Sequence, residues 1–307
     1  MTDTRARLFL PFAIVIAILA VSTASIFIRF AQTDGVPSLV IAALRLTFAT
    51  MILTPVALTQ HRDEIKRFTR NELLLGAASG IFLAVHFATW ITSLEYTSVA
   101  SSVVFVATGP LWVAMLSPML LKEHLARTAI IGLLLSIVGG AIIGLSDACT
   151  WHAGLSCPAL QDIMQGRAMW GNFLALAGAW AVTGYLIIGR KLRAGMSLVP
   201  YIFLVYGMAS IALIIIMFIS GNTPFGYAPK TYGWILLLAI LPQLVGHSTY
   251  NWALKYLPAA LVAITTLGEP IGSAILAFFL LSETPAITTI IGGGFILTGI
   301  YLASRNK

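Results

Sequence analysis

Ten stretches of nearly unbroken apolar residues divide this chain, with short polar turns between them. They cover residues 8–30, 37–58, 73–94, 99–121 and 129–145, then 168–189, 198–219, 232–254, 259–281 and 286–303. At about 1.5 Å per residue, each is long enough, or nearly so, to cross a hydrocarbon core of about 30 Å as a helix. The runs are continuously apolar rather than alternating, and they are too long for tilted barrel strands. The pattern predicts an all-α polytopic membrane protein with ten transmembrane helices. The first run also fits a cleavable secretory signal, since Arg5 and Arg7 precede it and the small residues VSTAS follow. That alternative leaves nine helices and strips the first half of its match to the second. A shift of 161 residues lays Arg29 on Arg190 and Ser22 on Thr183, so the first run is retained as a helix.

The polar positions repeat as well. Sliding residues 254–299 back by 160 places them on residues 94–139 without a gap, and 15 of the 46 aligned positions are identical. Among them are Tyr96/Tyr256, Pro110/Pro270, Glu123/Glu283, Gly132/Gly292 and Gly139/Gly299. Shared apolar composition alone gives about one match in ten. The chain is therefore expected to be an internal duplication: residues 1–146 as one five-helix repeat, 147–167 as an external linker, and 168–307 as the second repeat. Five is an odd number, so the copies insert with opposite orientation. Inverted repeats of this kind commonly build transporters.

Composition and charge sharpen that picture. Of 307 residues, 59% are hydrophobic and only 9% charged, against about a quarter charged in a soluble domain. The net charge of +7 resolves into topology once the loops are read. With the N-terminus inside, fourteen of the 18 Lys and Arg fall in inside loops and two, Arg167 and Lys230, outside; Arg29 and Arg45 lie within runs. Both termini are thus expected in the cytoplasm of a bacterial or archaeal cell whose inner membrane holds the protein. The basic balance gives no reason to expect a nucleic-acid partner. The expected partners are the lipid bilayer and a small-molecule substrate, with a homodimer left open and no cofactor. Glu95 and its aligned Lys255 occupy short turns on opposite sides, as inversion requires.

In each half a proline opens a long apolar run, which is followed by a turn glutamate and a Gly-rich helix. The stretches are GPLWVAMLSPMLLKEHLARTAIIGLLLSIVGG and GEPIGSAILAFFLLSETPAITTIIGGGFILTG. This pattern resembles the EamA domain, and two in tandem are similar to the ten-helix branch of the drug/metabolite transporter superfamily. The resemblance implies movement of small metabolites, often export of amino acids or related compounds, through a central cavity between the halves. The first copy departs from the second at Gly109, where the second has Glu269.

Ionisable groups at membrane depth are costly and tend to face a cavity. The candidates for substrate binding or coupling are Glu269, Arg45, His86 and His247, with Trp90, Tyr185, Tyr206 and Trp252 suited to an amphipathic ligand. Arg45 is eight residues into its run, too deep for easy snorkelling, whereas Arg29 lies at a run end and is expected to snorkel. Glu269 lies near the bilayer midplane, beside a notch that Pro270 opens by freeing a carbonyl near Thr266. Its alternative is structural: a protonated carboxyl capping that notch, or bonded to His247 or a tyrosine. Cys149 and Cys157, both in the outer linker, are expected to form a disulfide if the compartment is oxidising; free thiols are the alternative. No metal-ligand spacing is present.

Three functions compete. A carrier for small organic solutes fits the inverted repeat and the buried polar groups. An intramembrane enzyme is disfavoured, because the runs hold no HExxH, no paired aspartates and no Ser–His arrangement at motif spacing. A channel or scaffold requires neither pseudo-symmetric halves nor a midplane charge. Within the carrier class, amino acids or related amphipathic compounds, moved outward by alternating access, are expected. The alternatives are a sugar-phosphate or nucleotide-sugar antiporter and a multidrug or amine exporter.

Overall fold

The computed structural model describes residues 3–124, 126–148, 150–151, 155–156, 166–282 and 287–304. The first half contains α1 (Asp3–Ser22), α2 (Ala24–Thr33), α3 (Ser38–Gln60), the short α4 (Arg62–Lys66), α5 (Arg70–Ser93), α6 (Val99–Val106), α7 (Gly109–Leu120) and α8 (Arg127–Ala148). A two-residue antiparallel pairing, Thr150–Trp151 with Leu155–Ser156, lies between the halves. The second half contains α9 (Arg167–Arg193), α10 (Leu198–Ile219), α11 (Pro229–Leu238), a π-helical segment (Ala239–His247), α12 (Ser248–Ala253), α13 (Ala259–Thr265), a 3-10 turn (Thr266–Gly268), α14 (Glu269–Leu281) and α15 (Ile287–Ser304).

Among the described residues, six helical spans are long and apolar enough to cross a bilayer: Leu8–Thr33, Ser38–Gln60, Arg70–Ser93, Arg167–Arg193, Leu198–Ile219 and Ala259–Leu281. The other four expected spans are also helical, two of them unbroken as α8 and α15 and two interrupted, at α6–α7 and across the π segment. The interruptions follow from proline. Pro110 and Pro270 stand in the first turns of α7 and α14. Neither offers an N–H to the carbonyl four residues back, at Val106 and Thr266, and each ring crowds that carbonyl. The helix therefore stops and restarts at repeat-related points in the two halves. Pro242 falls within the π segment, where the missing donor is absorbed by pairing one residue further along.

Packing respects the duplication. α8 lies against α15, and α3 against α10, each pair formed by counterparts. α5 packs on α9 as the π segment packs on α1, and α7 packs on α9 as α14 packs on α1. Exchanging the halves thus maps the contacts onto themselves, which is the mark of a two-fold related pair. At the α8–α15 seam the matched glycines allow close approach. A Cβ on Gly139 would stand 2.9 Å from the Phe295 Cβ, and one on Gly299 would stand 3.1 Å from the Ser136 nitrogen. Association in lipid depends on such contact, because burial from water contributes little there.

Polar ties fasten the two ends of the bundle. At the end rich in Lys and Arg, Arg190 Nε donates to Glu123 at 2.6 Å and its Nη1 donates to the Leu254 carbonyl at 2.6 Å. The other Glu123 oxygen accepts from the Ala259 amide at 3.0 Å, so one carboxylate joins three turns across the halves. At the opposite end the Ser38 amide and hydroxyl both donate to Glu95, the amide at 3.2 Å. Arg29 there donates to the Thr97 carbonyl at 2.9 Å. Glu283, the sequence counterpart of Glu123, lies outside the described residues, as do Cys149 and Cys157.

Candidate functional site in a cavity between the halves

The broken helices and the π segment border one cavity of about 60 Å³, room for a few water molecules. The first half contributes Val21, His86, Trp90 and the Val106–Pro110 break, and the second Tyr185, His247, Tyr250, Thr266 and Glu269. Repeat-related Gly109 and Glu269 thus face the same space, one with a side chain and one without. Glu269 opens α14, where the helix dipole favours a negative charge. Its carboxylate borders the cavity, and among the described residues it makes no hydrogen bond or ion pair. Neither His247 nor any tyrosine caps it.

The aromatic wall is built around the two histidines. His86 Nδ1–H donates to the Gly178 carbonyl at 2.9 Å; a carbonyl only accepts, so this bond leaves Nε2 as the free acceptor. The His86 ring stacks on Trp90 at 5.9 Å and meets His247 edge-on at 6.4 Å. His247 lies 5.3 Å from Phe87 and 6.5 Å from both Tyr185 and Tyr250, and its ring makes no hydrogen bond among the described residues. The indole N–H of Trp90 and the hydroxyl of Tyr250 are buried without a protein partner. Polar groups left open on a cavity wall are the groups a ligand or ordered water satisfies.

Behind this wall lies Arg45. It is wholly buried, its guanidinium rests 4.0 Å above the Phe87 ring centre, and its Nε donates to Gln243 Oε1 at 3.1 Å. Among the described residues both Nη nitrogens lack a hydrogen-bond partner, and Arg45 enters no ion pair. A chain of buried hydrogen bonds continues from Gln243. Its carbonyl accepts from Ser248 at 3.2 Å, Ser248 meets the Tyr206 hydroxyl at 3.2 Å, and Asn251 Nδ2 donates to the hydroxyls of Tyr206, at 3.3 Å, and Tyr185.

A family model, the EamA-like transporter family, matches residues 9–145 and again 169–305. The chain belongs to the EamA-like transporter family. Its two matched blocks are the two halves that enclose the cavity, so the site lies at the junction of two EamA domains. Relatives agree on the broad class. An uncharacterized transporter of Archaeoglobus fulgidus is 27% identical over 95% of both chains. A WAT1-related protein of Arabidopsis thaliana is 26% identical over 94% of this chain and 88% of its own. A crystal structure covering 95% of both chains superposes with a TM-score of 0.72 at 19% identity, which shows a shared fold. The chain is accordingly a multi-pass membrane protein of the drug/metabolite transporter type.

Of the eight residues singled out by sequence, the EamA fold brings Glu269, His86, His247, Trp90 and Tyr185 to the cavity wall. Arg45 and Tyr206 stand in the layer behind, and Trp252 packs edge-on against Tyr256 at 5.2 Å, away from the cavity. Sequence reading missed Gln243, Ser248 and Asn251, which carry the hydrogen-bond chain. Gln243 follows Pro242 inside an apolar run, and that uncharged polar residue beside a helix-breaking proline was the available signal.

Proposed function

We propose that the protein is a secondary carrier, not an enzyme, that moves small organic metabolites bearing an amine, amino acids and related amphipathic compounds among them, outward across the cytoplasmic membrane by alternating access. The observation that carries this reading is Glu269: a carboxylate facing the cavity between two related halves, with no hydrogen bond or ion pair among the described residues. An ionised carboxylate at the bilayer midplane costs about 2.5–3.5 kcal/mol on insertion scales. A chain keeps such a group where a ligand cation or a transported proton offsets that cost. The wall of Trp90, Tyr185, Tyr250 and two histidines suits an organic ammonium, through ring faces and open hydrogen-bonding groups. A phosphorylated substrate fits poorly, because no Lys or Arg is among the described residues of the wall. Within the same class, an exporter of amines lacking a carboxylate is a second reading, favoured by the position of Arg45 behind the wall rather than on it.

The test is counterflow in proteoliposomes with amino acids, amines and sugar phosphates. Saturable exchange of the first two groups is expected, and preference for phosphates would overturn the reading. Glu269→Gln keeps shape and hydrogen-bonding capacity but removes ionisation. It should reduce flux at least tenfold or make flux independent of pH, while the protein still inserts and purifies as a single species. Unchanged flux at every pH would return Glu269 to a structural role.

A further inference from the structure

We infer that Arg45 is the carboxylate-recognising half of the substrate site, and that it selects amino acids over the corresponding amines. The inference rests on the carrier reading and concerns a different group from the one that carries it. Three observations converge. First, the guanidinium is wholly buried, and both Nη nitrogens lack a hydrogen-bond partner. Two unpaired donors on a buried cation are expensive, and an Arg fork is shaped to take the two oxygens of a carboxylate. Second, the fork is held in place. Nε is fixed on Gln243 Oε1 at 3.1 Å, and the guanidinium plane is supported by Phe87 at 4.0 Å. What remains free is the edge that binds anions.

Third, the partition between Arg45 and the cavity is a layer of aromatic side chains. Phe87 carries the guanidinium at 4.0 Å, and His86 and His247, whose rings meet Phe87 at 4.8 and 5.3 Å, line the cavity. His247 stands in this partition against Phe87 at 5.3 Å, and its ring has no hydrogen bond to hold it among the described residues. It closes the π-helical segment that also carries Gln243. Movement of the His247 ring would join Arg45 to the cavity, with Glu269 as the cavity's acidic group. A zwitterion would then place its ammonium on Glu269 and its carboxylate on Arg45, neutralising both buried charges at once. A simple amine would satisfy only Glu269.

The experiment uses phenylalanine and phenethylamine, which differ only in the carboxylate, in proteoliposomes of the full-length protein. Wild type is expected to exchange phenylalanine at least tenfold better than phenethylamine. Arg45→Met should lower phenylalanine flux at least tenfold more than phenethylamine flux, removing most or all of the preference. Arg45→Lys, which keeps the charge but loses the fork, should give an intermediate ratio. Amine exchange also shows that each variant is folded. Equal loss of both fluxes, or an unchanged ratio, would make Arg45 a structural residue. Wild-type exchange of phenethylamine alone would overturn the carboxylate site and leave the carrier reading standing. Exchange of neither compound would overturn the carboxylate site, and the carrier reading would then be decided by the wider counterflow panel.

Discussion

Asn251 shows how much a single uncharged residue holds in this bundle. It is wholly buried, and its amide donates to the hydroxyls of Tyr185 and Tyr206 and to the His247 carbonyl. Its main-chain carbonyl accepts from Arg193 Nε at 3.0 Å. Asn251→Leu keeps the approximate volume and removes the donor shared by two buried tyrosines. The expected cost is about 1–3 kcal/mol, the desolvation of polar groups left unpaired, read as a lower midpoint of thermal unfolding in detergent. An unchanged midpoint would mean that Tyr206 and Tyr185 satisfy themselves elsewhere. Asn251 also marks the limit of legibility at this scale. Charged residues such as Glu269 and Arg45 stand out in an apolar run because burying them is costly whatever surrounds them. An asparagine or glutamine is less costly to bury, so its importance depends on which hydroxyls the fold brings beside it. That information is three-dimensional. The same holds for Tyr206 and Trp252, whose apolar rings suit a cavity wall and a protein core equally.

At the scale of the element, helix existence was readable and helix continuity was not. Apolar runs fix where the chain crosses the bilayer, yet the breaks before Gly109 and Glu269 and the π segment at Ala239–His247 arise from prolines whose effect depends on neighbours. The glycine pattern was more legible, since Gly139 and Gly299 match by repeat and lie in the α8–α15 seam. Gly139→Val should disrupt that seam. Its Cβ would enter the space held by Phe295 and Ile296, and overpacking of this kind typically costs about 1–3 kcal/mol. Gly294→Ala, on the same α15 but with nothing within 4 Å of the added Cβ, should leave thermal stability unchanged or slightly raised. Equal effects of the two changes would show that helix propensity, not close approach, sets the cost.

At the scale of the molecule, the two halves face one cavity, and whether they insert with opposite orientation is directly measurable. In a background carrying Cys149→Ser and Cys157→Ser, a cysteine at Glu95 should react with an impermeant thiol reagent added to intact cells. A cysteine at Lys255 should react only after the membrane is opened. Equal external labelling would rule out inversion. Both positions are exposed at bundle ends, so access rather than burial decides the outcome. One feature that breaks the symmetry is the pair Gly109 and Glu269 on the cavity wall. A carrier made of two identical inverted halves has two end states that are each other turned over, and in a symmetric membrane those states have equal energy. Half of the empty molecules would wait facing each side. One carboxylate without a counterpart removes that degeneracy, so the unloaded molecules of such a carrier gather on one side. Solute and ion gradients would still fix the net direction of movement; in such a carrier the unmatched carboxylate would bias which compartment the unloaded molecule faces.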